Sequence, residues 1–141
     1  KFVGKTQIDL NLAFDKKISF DLESSDMTDL LKNSDFVSLH VPAQKSYVIG
    51  KNEFNLMKTG AGLINAARGG VVDEKSLIES LDSGKLAFAG VDTFENEPKP
   101  SVKLLMHPKV SLTPHIGAAT NEAQDRIGIE LANQIMKLVK G

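Results

Sequence analysis

The chain has 141 residues, 41% of them hydrophobic and 25% charged, with no cysteine and a formal net charge of -1. That length and composition suit one soluble domain that buries a core without disulfides. The missing cysteines exclude thiolate catalysis and thiolate metal sites, and the near-zero charge supplies no field to attract nucleic acid or an anionic membrane. No apolar run approaches the ~20 residues of a membrane span. No apolar segment follows Lys1-Phe2-Val3-Gly4-Lys5-Thr6, as a signal peptide would require. The expectation is a cytoplasmic protein with a small-molecule ligand, no metal, and no nucleic-acid or membrane partner.

In chain order, Ile8 to Phe14 alternates apolar and polar residues as a strand does, and ends at Asp15. Met27 to Lys32 reads as a short helix capped by Ser24, Ser25 or Asp26. Phe36 to Val41 is a strand stopped by Pro42, and Asn52 to Met57 is a second short helix. Ala61 to Asn65 is an apolar strand running into Ala66-Ala67-Arg68-Gly69-Gly70. Asp73 to Ser83 is the clearest helix: Asp73 can cap it, Leu77, Ile78 and Leu81 share a face, and Gly84 can end it. Leu86 to Val91 and Val110 to Thr113 are strands ending at Asp92 and at Pro114-His115. Asn121 to Val139 is a long amphipathic helix with Ile127, Leu131, Ile135 and Leu138 at helical spacing.

Strands alternating with helices predict an α/β fold, a parallel sheet covered on both faces by helices. Such sheets bind ligands beyond the carboxyl ends of their strands. Asp15, Pro42, Ala66 to Arg68, Asp92 with Glu97, and His115 all follow strands, so one sheet edge should carry them together. Singly, each has an ordinary reading as a turn or cap residue; as a set they point to a site.

Four segments carry a resemblance: SDFVSLHVP (Ser34 to Pro42), INAARGGVVDE (Ile64 to Glu74), GKLAFAGVDTFENEP (Gly84 to Pro98) and HPKVSLTPHIGAATNEAQ (His107 to Gln124). In order and spacing they resemble the nucleotide-binding domain of the D-isomer-specific 2-hydroxyacid dehydrogenases, a Rossmann-like fold. HIGAAT followed by EAQ is most similar to the phosphoglycerate dehydrogenase branch, which acts at the first step of serine synthesis. The resemblance implies NAD as cofactor, a 2-hydroxy or 2-oxo acid as substrate, and a homodimer formed through the nucleotide domain.

It also implies roles. Arg68 would hold the substrate carboxylate with two parallel hydrogen bonds, the geometry a guanidinium offers. Gly69 and Gly70 would let the backbone turn and approach the ligand. His115 would move the proton as hydride moves at carbon, since imidazole titrates near neutral pH. Glu97 would orient it and stabilise the imidazolium. Glu95 is a rival for that carboxylate; Glu97 is preferred because it directly precedes Pro98. His40, inside a strand pattern, reads as structural or cofactor-adjacent, and His107, before Pro108, as a solvated loop residue. Asp92 would contact the nicotinamide end, with a turn cap as the competing reading. Asp15 would bond the adenosine ribose, which favours NAD over NADP. Val41, Pro42, Ala66, Ala67, Gly117 and Ala118 complete the expected cofactor contacts, together with Arg68 and His115.

Two features depart from the family pattern. The glycine-rich phosphate loop is absent: after Gly4-Lys5-Thr6 no glycine occurs until Gly50, so the first βα unit looks missing. Nor is GKT a Walker motif, because the preceding GxxxxGK pattern is absent. Residues 1–141 therefore read as a partial NAD-binding domain, with the substrate domain outside this chain. The loop AQKSYVIG after Pro42 also looks short and lacks the threonine usual there. The resemblance leaves two alternatives open: another D-2-hydroxyacid dehydrogenase (hydroxypyruvate/glyoxylate reductase or D-lactate dehydrogenase), or an NAD(H)-sensing corepressor-like binding protein.

Overall fold

The structure, a computed structural model, describes residues 6–11, 17–22 and 25–140. Its first two strands, β1 (Thr6–Asn11) and β2 (Lys17–Leu22), pair antiparallel from Thr6 opposite Leu22 to Asn11 opposite Lys17. The described part of the expected strand Ile8 to Phe14 lies in β1, in a two-stranded sheet of its own and not in the parallel sheet. The reason is visible in IDLN and ISFDL, where apolar and polar residues alternate as in a half-exposed antiparallel pair; buried parallel strands are near-continuously apolar. The rest of that expected strand, from Leu12 to Phe14, and Asp15 lie outside the described residues.

The main sheet is four-stranded and parallel, in the order β3 (Phe36–Leu39), β4 (Ala61–Asn65), β5 (Leu86–Val91), β6 (Val110–Leu112). Register partners share a face, so Val37, Leu63, Ala89 and Val110 point one way, and Phe36, Gly62 and Phe88 the other. Beneath the first face lie α1 (Met27–Asn33), α2 (Lys51–Leu56), α3 (Glu74–Asp82) and α4 (Val102–Leu105). Leu31, Phe54, Leu77, Leu81 and Leu104 from these helices join Val37, Leu39, Leu63, Ala89 and Val91 in one core. Each fully buried large side chain contributes about 1.5–3 kcal/mol. Among the described residues the opposite face is open: Phe36 is 70% exposed, Ile64 41% and Phe88 40%, with the two rings 6.0 Å apart.

Local chemistry sets the helix boundaries. Asp26, of the three candidate caps, accepts the Asp29 N–H at 2.8 Å. Asp73 accepts the N–H groups of Lys75 and Ser76 at 3.1 and 3.3 Å, so α3 begins where the sequence predicts. At α2, Glu53 reaches back to the Gly50 N–H at 2.9 Å. The last helix, α5 (Asn121–Lys140), presents Ile127, Leu131, Ile135 and Leu138 to solvent. No described helix is long and apolar enough to cross a membrane.

Candidate functional site

The carboxyl ends of β4, β5 and β6 share one rim, and each runs into a loop held by polar contacts. After β5, the Asp92 carboxylate gathers the loop that follows β6. Its Oδ1 accepts the Thr113 hydroxyl at 2.5 Å and the Ile116 N–H at 2.9 Å, and its Oδ2 accepts the Gly117 N–H at 3.1 Å. Partial burial pushes this carboxyl up, but the Thr113 bond and then the two backbone N–H groups outweigh it, so Asp92 sits below the ordinary aspartate value. Its carboxylate clamps this loop and also lines the cleft described below.

His115 stands between the residues Asp92 clamps, at φ 55°. Left-handed backbone costs a non-glycine residue roughly 1–2 kcal/mol, and it persists where the surroundings impose it. Bonds to Thr113 on one side and to Ile116 and Gly117 on the other impose it here. In that conformation His115 Nδ1 lies 2.8 Å from Glu97 Oε2. Glu97 Oε1 accepts the Phe94 N–H at 2.9 Å. That backbone bond and then the imidazole hold the Glu97 carboxyl below its ordinary value, so the group facing His115 is an anion at neutral pH. With Nδ1 turned to the carboxylate, Nε2 is the ring nitrogen left for a ligand.

Arg68 follows β4 on the neighbouring loop, exposed, with Nη1 donating to the Ala67 carbonyl at 2.6 Å. Gly70 makes the turn with φ 77°. Gly69 allows a close approach between two loops. A Cβ there would lie 1.9 Å from the Phe94 carbonyl oxygen, so its bare backbone packs on the Asp92–Glu97 loop. Asn65, unmarked by the sequence reading, is 4% exposed and ties the same two loops. Its Oδ1 accepts the Ala67 N–H at 3.2 Å and its Nδ2 donates to the Thr93 carbonyl at 3.4 Å. A polar residue closing an otherwise apolar strand was the available signal.

Glu95 turns away from His115. Its Oε1 accepts the Glu74 N–H at 2.9 Å at the start of α3, and Glu74 Oε1 accepts the Glu95 N–H at 2.7 Å. The other two histidines are occupied elsewhere. His40 Nε2 meets the Ser38 hydroxyl at 2.8 Å. His107, expected to be solvated, has a side chain only 7% exposed and lies 3.2 Å from Asp82. Its Nδ1 accepts the Lys109 N–H, which leaves Nε2 to donate to the carboxylate.

A cleft of about 350 Å³ opens at this rim, lined by Ile64, Ala66, Asp92, Thr113, Gly117 and Thr120 among others. Ala66 and Gly117 thus face it. Ala67 does not: it is 2% exposed and belongs to the core. Ala118 lines an adjoining groove along α5 that shares Gly117 and Thr120 with this cleft. Val41 packs partly buried against the core, and exposed Pro42 accepts a bond from Gln44 on its carbonyl.

Comparison with known proteins shows the family. Residues 10–117 match the family described as D-isomer specific 2-hydroxyacid dehydrogenase, NAD binding domain. The chain belongs to this family. It is 47% identical over 121 residues to a hydroxypyruvate reductase of Thermotoga maritima, covering 82% of this chain and 40% of that protein. It is 44% identical over 118 residues to a D-3-phosphoglycerate dehydrogenase of Methanocaldococcus jannaschii, covering 82% of this chain and 22% of the relative. A glyoxylate reductase structure from Paecilomyes thermophila superposes with a TM-score of 0.71 at 37% identity, covering 81% of this chain and 35% of that one. The chain thus spans less than half the length of these relatives. The fold is Rossmann-like and the cofactor of the matched domain is NAD. The cleft suits one end of a dinucleotide: Ile64, Val91, Leu112 and Ile116 give it apolar walls, with a few polar groups such as Asp92 and Thr113 among them.

Proposed function

We propose that this chain is the nucleotide-binding part of an NAD-dependent dehydrogenase that interconverts a 2-hydroxy acid and its 2-oxo acid, with 3-phosphoglycerate as the first substrate to test. The observation that carries the reading is the 2.8 Å contact between His115 Nδ1 and an anionic Glu97, in a loop whose neighbours wall the cleft. NAD, when bound, supplies the hydride acceptor. In the oxidation direction Glu97 holds Nδ1–H, so neutral His115 takes the substrate hydroxyl proton at Nε2, and Glu97 stabilises the imidazolium that forms. Arg68 exchanges its internal bond to the Ala67 carbonyl for a bidentate grip on the substrate carboxylate. Ala66 and Gly117 line the nicotinamide end, and Asp92 keeps the His115 loop in place.

The D-3-phosphoglycerate dehydrogenase relative supports 3-phosphoglycerate and a place in serine synthesis. The hydroxypyruvate reductase relative supports hydroxypyruvate as the second reading. Turnover of the full-length protein with 3-phosphoglycerate and NAD, against hydroxypyruvate or glyoxylate and NADH, decides between them. His115→Ala should lower that turnover by about 10²–10⁴-fold, the span of general acid–base catalysis. Unchanged turnover would remove His115 from the mechanism. Arg68→Lys should raise KM for the acid, because an ammonium cannot reproduce the fork. Homodimerisation belongs to the same proposal, supported by the apolar residues α5 exposes; light scattering on the full-length protein checks it.

A further inference from the structure

We infer that Glu95 and Glu74 are positioning residues for the Glu97–His115 pair: by exchanging backbone-to-carboxylate hydrogen bonds, they fix the peptide that holds Glu97. The inference rests on the proposed role of that pair. Each carboxylate accepts the other residue's backbone N–H, at 2.7 and 2.9 Å, a closed pair of bonds between positions 21 apart in sequence. The peptide joining Phe94 to Glu95 is thereby gripped at both ends. Its N–H is bound by Glu74, and its carbonyl oxygen is pressed by the backbone of Gly69, where a Cβ would stand 1.9 Å away. The preceding N–H, that of Phe94, holds Glu97 Oε1 at 2.9 Å. A planar peptide cannot turn at one end only. Loosening the Glu74–Glu95 pair lets this peptide rotate as a unit, which turns Phe94 about its Cα and shifts the preceding N–H, and with it the orientation of Glu97 toward His115. The same grip fixes the Asp92–Glu97 loop against the loop that carries Arg68.

The arrangement is electrostatically costly, which argues that it is kept for geometry. Glu74 is 6% exposed, and burial, the largest influence, pushes its carboxyl above the ordinary glutamate value. Tyr47 faces the cluster from the loop before α2. Glu95 first, then slight desolvation and Asp73, hold its phenol above the ordinary value. Among the described residues neither Glu74 nor Glu95 has a cationic partner. Amides or hydroxyls could tie two loops without gathering Asp73, Glu74 and Glu95 at one point.

The test uses the full-length protein, with Glu95→Ala, Glu95→Gln and Glu97→Ala compared by steady-state kinetics and by the downfield proton NMR signal of His115 Nδ1–H. Glu95→Ala should lower kcat about tenfold or more, since small misplacements of catalytic groups cost up to 10²-fold. KM should move far less, and the His115 signal should broaden or vanish. Glu95→Gln keeps an oxygen for the Glu74 N–H and should recover most of kcat and the signal. A folded Glu95→Ala protein with unchanged kcat and signal overturns the inference. So does an equal loss in Glu95→Gln with the signal intact, which would make the charge and not the position important. If Glu95→Ala is too unstable to isolate, Glu95→Ser, too short to span to α3, takes its place with the same expectations. Should Glu97→Ala leave turnover untouched as well, the catalytic reading of the pair fails. Should Glu97→Ala abolish turnover while Glu95→Ala does not lower it, the positioning inference alone fails.

Discussion

Two regions of this molecule are held together by different physics. Under α1–α4 the sheet is secured by apolar volume: Leu31, Leu63, Leu77, Leu81 and Leu104 are each at most 1% exposed. At the carboxyl rim, a few ångströms along the same strands, carboxylates do the holding. Glu74, Asp92, Glu95 and Glu97 all accept backbone N–H groups from loops distant in sequence or curled on themselves. The first region should respond to lost volume and be indifferent to pH. The second should respond to pH and to lost acceptors, while tolerating changes of volume. A site that must bind and release ligands is thus built from contacts individually weaker and more adjustable than the core beneath it.

The sharpest way to break that contrast is in β4. Leu63→Ala should cost about 2–5 kcal/mol in chemical denaturation, as buried leucine truncations do, equally at pH 5 and pH 7.5. Its neighbour Ile64 is 41% exposed on the open face, and Ile64→Ala should cost less than about half as much, because less area leaves water. Equal costs would mean that the open face is covered in solution. Next in size is Asp92→Ala, which strips acceptors from Thr113, Ile116 and Gly117. A loss of about 1–3 kcal/mol is expected, concentrated in faster amide exchange at Ile116 and Gly117. Exchange at those amides unchanged from the parent would show that another group positions the His115 loop.

The pH response is smaller and has two signs. Asp92 and Glu97 have depressed values in the fold, so the stability they contribute is present above the ordinary carboxylate range. It is lost as pH falls through their folded values. Glu74 is raised in the fold, so its contribution is present below the ordinary glutamate value and lost as pH rises through the folded one. Acidification should therefore loosen the His115 loop while relieving strain at Glu74, and Glu74→Gln should remove only the second effect. Amide exchange followed from pH 7 to pH 4 in both proteins reads this directly. A loop at 113–117 that is equally protected throughout would put its hold elsewhere than in carboxylate charge. Smallest of all is the exposed Lys58–Asp35 pair, 2.7 Å apart. Lys58→Ala should cost less than about 1 kcal/mol, and less still in high salt.

Much of this was legible in sequence. The strands AGLIN and LAFAGV have the predicted bounds, because continuous apolar runs bounded by turns leave little choice. Asp73 caps α3 as a short-range pattern foretells. The antiparallel pairing of β1 with β2 was not foreseen, since an alternating run does not say which strand it will pair with. Four-residue α4 is too short to show a period. Within the site, sequence proposed Arg68, Glu97 and His115 but could not separate Glu95 from Glu97 by residue type. The fold separates them: Glu97 turns to His115, and Glu95 turns to α3.

The sequence by itself determined the alternation of strands and helices, the family, and which residues end strands at one rim, because these depend on order, spacing and local chemistry. Tertiary structure alone decided what those residues touch. Asp92 became a clamp, Gly69 a seat for the Phe94 carbonyl, and His115 a left-handed residue facing Glu97. Those outcomes rest on contacts between loops some twenty residues apart, whose distances are set only when the strands beneath them come into register.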